Sequence, residues 1–430
     1  MRVLASVFLL GVLSGGPTLL LAQPHVAPAA PGATAEETLS LDALVRMAIE
    51  NSPALVAARR RVETARLRVE QERALPDPML SVGYNSSGNP LPGAGLGVEP
   101  TANIGAMVTQ PIPYAGKRDL RAAVAAREAD VEAVDEEAAR LDLTARVKEG
   151  YYRLAYVTSA EHVLTHHKEL LETLLGVAET RYSVGRATQQ DVFRAQAGLT
   201  MLELRIERLD QERQTREAQL NALLNRPPGT PLGRPRAMEP HPFDVALETV
   251  IASAIAHSPV LRREQAVLAR NESAVEVAKR DFKPDFALSG GYYYMGSMPA
   301  MYTVRFDVQL PFQRSRRQLA LSERSSAVAE SRATYDAARR DVEARVQEEY
   351  HAAVTTARLV RLYGETMLPQ VRLTFESAMA SYETGAVDFM SLHASVGSVL
   401  ENELNYIEAL TEFHAAASRL EAMTGEPIAH

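Results

Sequence analysis

The sequence predicts a mostly helical fold with a small β part, built twice within one chain. Three observations predict it. Sequence blocks recur in the same order along the chain, some helical stretches are too long for a globular domain, and short segments strictly alternate apolar with polar residues.

The duplication comes first because it organises the rest. Ala48-Ile49-Glu50-Asn51-Ser52-Pro53-Ala54-Leu55 recurs as Ala254-Ile255-Ala256-His257-Ser258-Pro259-Val260-Leu261. Pro76-Asp77, Leu80-Ser81 and Gly83-Tyr84 recur as Pro284-Asp285, Leu288-Ser289 and Gly291-Tyr292. Tyr182-Ser183-Val184-Gly185 recurs as Tyr382-Glu383-Thr384-Gly385, and Leu220 with Pro227 as Leu420 with Pro427. The spacing predicts one unit over 39–229, a linker over 230–243 within a Pro-rich stretch, and a second unit over 244–430.

In each unit a short helix (about 41–50, about 245–256) meets Ser-Pro, and a second helix follows (about 54–74, about 260–282). Two strands come next, about 79–85 and 101–110, then about 286–294 and 301–310. A helix over about 115–182 contains no Pro and, past Gly116 at its start, only Gly150 and Gly176, which implies a rod of about 100 Å. It turns at Gly185 and returns over about 188–225. The second unit repeats this with a helix near 314–383, a turn at Gly385 and a return to about 424. Val192, Ala195, Leu199, Leu202, Ile206, Leu209, Leu220 and Leu223 step by threes and fours, interrupted by Arg213 and Arg216; Leu392, Val399, Tyr406, Phe413, Ala416 and Leu420 echo them. Such a seam indicates coiled-coil packing.

The strands speak to compartment. Tyr302, Val304, Phe306, Val308 and Leu310 alternate with Thr303, Arg305, Asp307 and Gln309. Ala102, Ile104, Ala106 and Val108 alternate with Asn103, Gly105, Met107 and Thr109, and Leu80, Val82 and Tyr84 with Ser81 and Gly83. A charged polar face on strands of this length is the pattern of a membrane barrel. A soluble hairpin packed on one face is the alternative, and its recurrence in both units weighs against it. Four strands cannot enclose a pore, so several subunits must share one barrel. The loops 86–100 and 295–300 would then face outward.

Composition narrows the function classes. The 430 residues carry a net charge of -8, which argues against a nucleic-acid binder. With no Cys, disulfides, thiolate nucleophiles and Cys-bound metals are excluded, as is lipid attachment to an N-terminal Cys. Arg2, the apolar runs 7–13 and 19–21, and Ala22 predict a secretory signal over 1–22, with a flexible Ala/Pro-rich lead over 23–38. A membrane anchor is the alternative, but the run is short and broken by Gly15, Gly16 and Pro17.

On these features the chain resembles the TolC-like outer-membrane efflux family from about Leu39 to Pro427. The resemblance rests on the duplicated order, on Tyr182-x-x-Gly185 with Asp191-Val192, on Tyr382-x-x-Gly385 with Ser391-Leu392, and on Gln110-Pro111-Ile112-Pro113-Tyr114-Ala115-Gly116-Lys117-Arg118. It implies a homotrimer with one 12-stranded barrel in the outer membrane, continued into the periplasm by a coiled-coil helical barrel. It also implies docking to a periplasmic adaptor protein and an inner-membrane pump of the RND type. The docking tips would include Tyr182, Val184, Gly185 and Arg186, with Tyr382, Thr384, Gly385 and Ala386; plain helix turns capped by Gly are the compatible alternative. Gln110–Arg118 with Leu75-Pro76-Asp77-Pro78 looks most like members serving heavy-metal pumps of the cobalt-zinc-cadmium and copper-silver kind. The copper-silver members are often lipoproteins, and this chain departs from that. The alternatives are a drug-efflux or type I secretion duct of the same fold and, in another class, a structural helical trimer of the envelope.

No catalytic constellation and no cofactor site stand out. Met295, Met298 and Met301 offer three thioethers for a soft ion, against an apolar loop at a barrel rim. His162 and His166 share a helix face beside His167 but lack a completing carboxylate, which favours a solvated face. Glu376, Glu383 and Asp388 near the second tip would form acidic rings in a trimer and favour cations at a closed end; ordinary surface charge is the equal alternative.

Overall fold

The computed structural model describes residues 39–88 and 90–426. The expected signal (1–22), the lead (23–38) and the echo at Pro427 lie outside them. The first unit runs α1 (Leu41–Asn51), α2 (Pro53–Arg73), β1 (Met79–Asn85), β2 (Asn103–Ile112), α3 (Lys117–Ser183) and α4 (Gln189–Leu223). The second runs α5 (Leu247–His257), α6 (Pro259–Arg280), β3 (Asp285–Met295), β4 (Met298–Gln309), α7 (Arg314–Arg361), a π-helical segment (Leu362–Met367), α8 (Leu368–Thr384) and α9 (Phe389–Thr424).

Local chemistry sets these boundaries. Ser52 and Ser258 are buried, and each precedes a Pro that opens the next helix, where the missing N–H costs nothing. The Ser52 hydroxyl also accepts from the Leu55 amide at 3.4 Å. Between the strands and α3, Gly116 takes a left-handed φ of 79° and lets Lys117 begin the helix.

The duplication is three-dimensional. One apolar cluster packs Leu44, Ala48, Leu55, Leu143, Val147, Leu154 and Leu220. The second unit assembles Val250, Ala254, Leu261, Val342, Val346, Ala353 and Leu420 in the same roles. Tyr151 donates its hydroxyl to the Leu39 carbonyl at 3.4 Å, and Tyr350 donates to the Val245 carbonyl at 2.9 Å. Each unit's entry is thus tethered to its own long helix. The linker is ordered as well. The Arg236 amide donates to Tyr151, Asn221 donates to the Pro228 and Thr230 carbonyls, and His414 bonds the Glu239 carbonyl at 3.0 Å.

Farther along, a third cluster joins the two helical hairpins. Leu164, Leu171, Leu174 and Ala178 of α3, with Ala195 and Leu202 of α4, pack on Tyr382, Phe389, Leu392, Val396 and Leu400 of α8 and α9. Of the expected seam in α4, Ala195, Leu202 and Leu220 are buried, while Val192, Leu199, Ile206, Leu209 and Leu223 are half-buried. Arg213 and Arg216 fill their seam positions as ion pairs, Arg213 with Asp210 and Glu217, and Arg216 with Glu212.

Three expectations are corrected. The helix near 314–383 is interrupted at Leu362–Met367, because Pro369 follows: it has no amide N–H, and its ring crowds the carbonyl four residues back, at Glu365. Gly364 sits here against Tyr406, where an added Cβ would lie 3.3 Å from the ring. The second hairpin loop, expected over 295–300, is only the turn Gly296-Ser297, because β4 begins at Met298. Finally, β2 runs to Ile112 rather than ending near 110, since Pro111 and Ile112 still pair with Ala287 and Phe286.

Candidate functional site

The four strands form one antiparallel sheet in the order β1-β2-β3-β4. Register turns the alternation of single strands into two opposed faces. Leu80, Val82 and Tyr84 face Val108, Ala106 and Ile104. Those in turn meet Gly290, Tyr292 and Tyr294, and β3 brings Phe286, Leu288, Gly290 and Tyr292 against Val308, Phe306, Val304 and Tyr302. Paired residues share a face, so this band is apolar across all four strands apart from Gln110. It is also uncovered: Val304 is 82% exposed, and Phe306, Tyr302 and Val82 are exposed too. The other face carries Ser81, Asn103, Thr109, Ser289, Thr303, Arg305 and Asp307, with Arg305 bonded to Asp307 at 3.0 Å.

Each strand continues into a helix, and one buried cation fastens the junction. Lys117 is 3% exposed and bonds both carboxylate oxygens of Asp285 at 2.9 and 3.0 Å, with Asp281 at 3.3 Å. The Tyr114 amide donates to the same Asp285 at 2.9 Å. The Gln110–Arg118 segment therefore has a structural duty: it ties the first unit's β–α junction to the second's. Below it, α2, α3, α6 and α7 line a groove of mixed charge that includes Arg68, Glu72, Arg121, Glu128, Glu323 and Arg324.

At the far end both hairpins turn alike. Arg186 N donates to Arg181 O at 2.8 Å and Gly185 N to Tyr182 O at 2.9 Å; Ala386 N donates to Ser381 O at 2.9 Å and Gly385 N to Tyr382 O at 3.0 Å. These are paired Schellman turns, with positive φ at Gly185 (73°) and Gly385 (81°). The return helices start with side-chain caps: Thr188 and Asp191 exchange bonds, and Asp388 accepts from the Ser391 amide at 2.9 Å and hydroxyl at 2.7 Å. The Ser391 hydroxyl and amide together hold the Asp388 carboxyl below its ordinary pKa.

The two tips are not equivalent. Tyr182, Val184, Gly185, Arg186, Thr384, Gly385 and Ala386 are exposed. Tyr382 is not: it is 4% exposed, under the Arg181 guanidinium at 4.4 Å and edge-on to Phe389, whereas its counterpart Tyr182 is 47% exposed. Arg181 also donates to the Glu383 carbonyl at 2.8 Å and so links the hairpins. Phe193 and Met390 add exposed apolar surface near the turns. Of the acidic candidates, Asp388 serves as a helix cap, while the exposed Glu376 and Glu383 lie seven residues apart on one face of α8.

Sequence spacing missed one polar centre. His162 and His166 are exposed, as a solvated face requires, but their neighbour His167 is 2% exposed. Its Nε2 lies 3.0 Å from Glu403 Oε2, and Arg372 donates to Glu403 Oε1 at 2.7 Å. Burial alone would raise the Glu403 pKa, but His167 and Arg372 outweigh it and hold the carboxyl down. The centre joins α3, α8 and α9. Two consecutive seam steps, of three and four residues, put His167 in phase with Leu164 and Leu171, a signal present in the sequence but overshadowed by the His162–His166 pair.

A sheet with one uncovered apolar face, rooted on long helical hairpins, is the arrangement that a membrane channel subunit requires. Residues 44–226 and 250–426 both match the family model described as outer membrane efflux protein, and the chain belongs to that family. It is an outer-membrane efflux channel of TolC-like fold, and members of the family are channels rather than enzymes. Comparison with curated proteins gave no match. Among solved structures, the outer membrane protein VceC from Vibrio cholerae is similar, with a TM-score of 0.75 and 16% identity over 90% of this chain and 96% of that one. A membrane protein from Pseudomonas aeruginosa gives 0.74 and 19% over 93% and 98%. The open state of the MtrE outer membrane channel of Neisseria gonorrhoeae gives 0.72 and 17% over 90% and 89%.

Proposed function

We propose that the chain is one third of a passive trimeric export duct that completes a tripartite pump serving heavy-metal cations. The observation that carries this is the sheet, with its continuous uncovered apolar face and one unpaired edge on each of β1 and β4. Unpaired edges cannot be left in lipid, because each open N–H and C=O costs several kcal/mol there. Three copies joined edge to edge close a 12-stranded barrel, with the apolar band against lipid and the Ser81–Arg305 face lining water. Residues 1–22 act as the export signal and are removed, the mature chain is not lipidated, and residues 39–229 and 244–430 are the two repeats.

The exposed tips at Gly185 and Gly385 receive the periplasmic adaptor, and the inner-membrane pump supplies the energy. The closed end is narrowed by Glu376 and Glu383 on α8. Opening moves the α8–α9 hairpin, which has a π-helical joint at Leu362–Met367 that α3 lacks. The heavy-metal assignment draws support from the resemblance of the Gln110–Arg118 segment.

Two measurements test this. Purified protein should run as a detergent-dependent trimer and conduct in planar bilayers; a soluble or non-conducting trimer would instead indicate a structural role. A deletion strain should be sensitive to copper, silver, zinc, cobalt or cadmium. Sensitivity confined to dyes, detergents and antibiotics would overturn the metal assignment and leave the duct standing.

A further inference from the structure

Where β3 and β4 close, the pairing slips. Tyr293 stands opposite Met301, but the next pair is Met295 opposite Met298. The second strand spends three residues where the first spends two, which is a β-bulge. Residues two apart on a strand share a face, and so do paired residues. Tyr293 and Met295 therefore bring Met301 and Met298 onto one face. Without the extra residue, Met298 and Met301, three apart, would point to opposite faces.

The shared face is the polar one. Met107, opposite Gly291, lies on it too, and its Sδ is 4.0 Å from the Tyr293 hydroxyl. The Tyr293 ring lies over two glycines: a Cβ at Gly105 would fall 2.4 Å from its Cδ1, and one at Gly291 would fall 2.9 Å from its Cε2. If these methionines were merely apolar filler for a membrane hairpin, they would belong on the lipid face with Tyr292 and Tyr302. They are on the opposite one.

We propose that Met295, Met298 and Met301 form a thioether site for a soft monovalent cation, Cu(I) or Ag(I), on the lumen side of the outer end of the barrel. The lumen placement rests on the duct reading above; the ligand set does not. Thioethers are soft donors and select Cu(I) and Ag(I) over Zn(II) and harder ions. From Gly291 to Val304 there is no His, Cys, Asp or Glu to hold a harder ion. Neutral ligands also leave the cation's charge uncompensated, which suits brief occupancy along an export path. In a trimer the site recurs three times around the mouth.

The test uses silver(I) in chloride-free buffer on the full-length trimer. Equilibrium dialysis should show silver retained by the wild type. Retention should fall about tenfold when Met295→Leu, Met298→Leu and Met301→Leu are combined, a change that nearly conserves volume. Zinc should be retained by neither. Silver should also lower the bilayer conductance of the wild type and leave the triple variant unaffected. Equal silver retention by the two proteins, or none by the wild type, overturns the proposal. Silver binding that depends on the three methionines without any effect on conductance keeps the ligand set and overturns its lumen placement. A wild type that never conducts removes the duct reading separately. Should the triple variant fail to assemble, mass spectrometry of the wild type decides instead: silver must slow peroxide oxidation of Met295, Met298 and Met301 relative to exposed Met201 and Met390.

Discussion

Val304→Arg separates a membrane sheet from a soluble one. Val304 is 82% exposed in the isolated chain and sits mid-strand in β4, opposite Gly290. If water covered that face, the substitution would fall within about 0.5 kcal/mol of neutral, like most surface changes. If lipid covers it, an arginine near the bilayer midplane costs about 2–4 kcal/mol. At 1.4 kcal/mol per tenfold, that shifts the folding equilibrium by roughly 30- to 700-fold. The neighbouring Thr303→Arg places the same charge on the opposite face and serves as the control. Folding into lipid vesicles from urea, followed by circular dichroism and protease protection, measures both; the chain has no Trp to follow. Val304→Arg must be destabilised by at least about 2 kcal/mol relative to Thr303→Arg. Two variants within about 0.5 kcal/mol of each other would refute the assignment of the apolar band to lipid.

Other predictions follow the helices. Burial lowers the His414 pKa to about 4, below the ordinary 6.5, so unfolded His414 takes up a proton that the folded ring refuses. The resulting stability is present above pH 6.5 and is lost as pH falls toward 4, by up to about 3 kcal/mol. Melting of His414→Gln should be correspondingly flatter across that window than wild type, and parallel curves would count against the assignment. Arg181→Ala removes the bond to the Glu383 carbonyl and the stacking on Tyr382, worth together about 1–2 kcal/mol at this half-buried tip. Single-channel recordings should show it open more often, by about 5- to 30-fold, and unchanged opening would mean the link does not restrain the gate. Glu376→Gln should reduce cation selectivity and leave assembly intact; identical reversal potentials would remove Glu376 from the gate.

The sequence by itself determined the repeated order of elements, because each boundary is written in local chemistry. Ser-Pro opens α2 and α6, Gly185 and Gly385 take φ values that a side chain resists, and period-two alternation marks the strands. The two faces of the sheet were also legible, since alternation survives in any register that keeps parity. What the tertiary structure decided depends on partners distant in the chain. Lys117 looked like part of a family segment, yet it is the buried tie to Asp281 and Asp285. Tyr182 and Tyr382 are the same residue in the same motif, yet only Tyr382 is buried, because it packs into the cluster joining the two hairpins with Arg181 of the other hairpin over its ring. His167 gained a role only when α9 brought Glu403 within 3.0 Å. The slip that sets Met298 on the same face as Met301 is likewise an outcome of strand pairing. Local propensity fixes where an element starts and which side is apolar; which residues meet is settled only when long helices dock and strands choose their register.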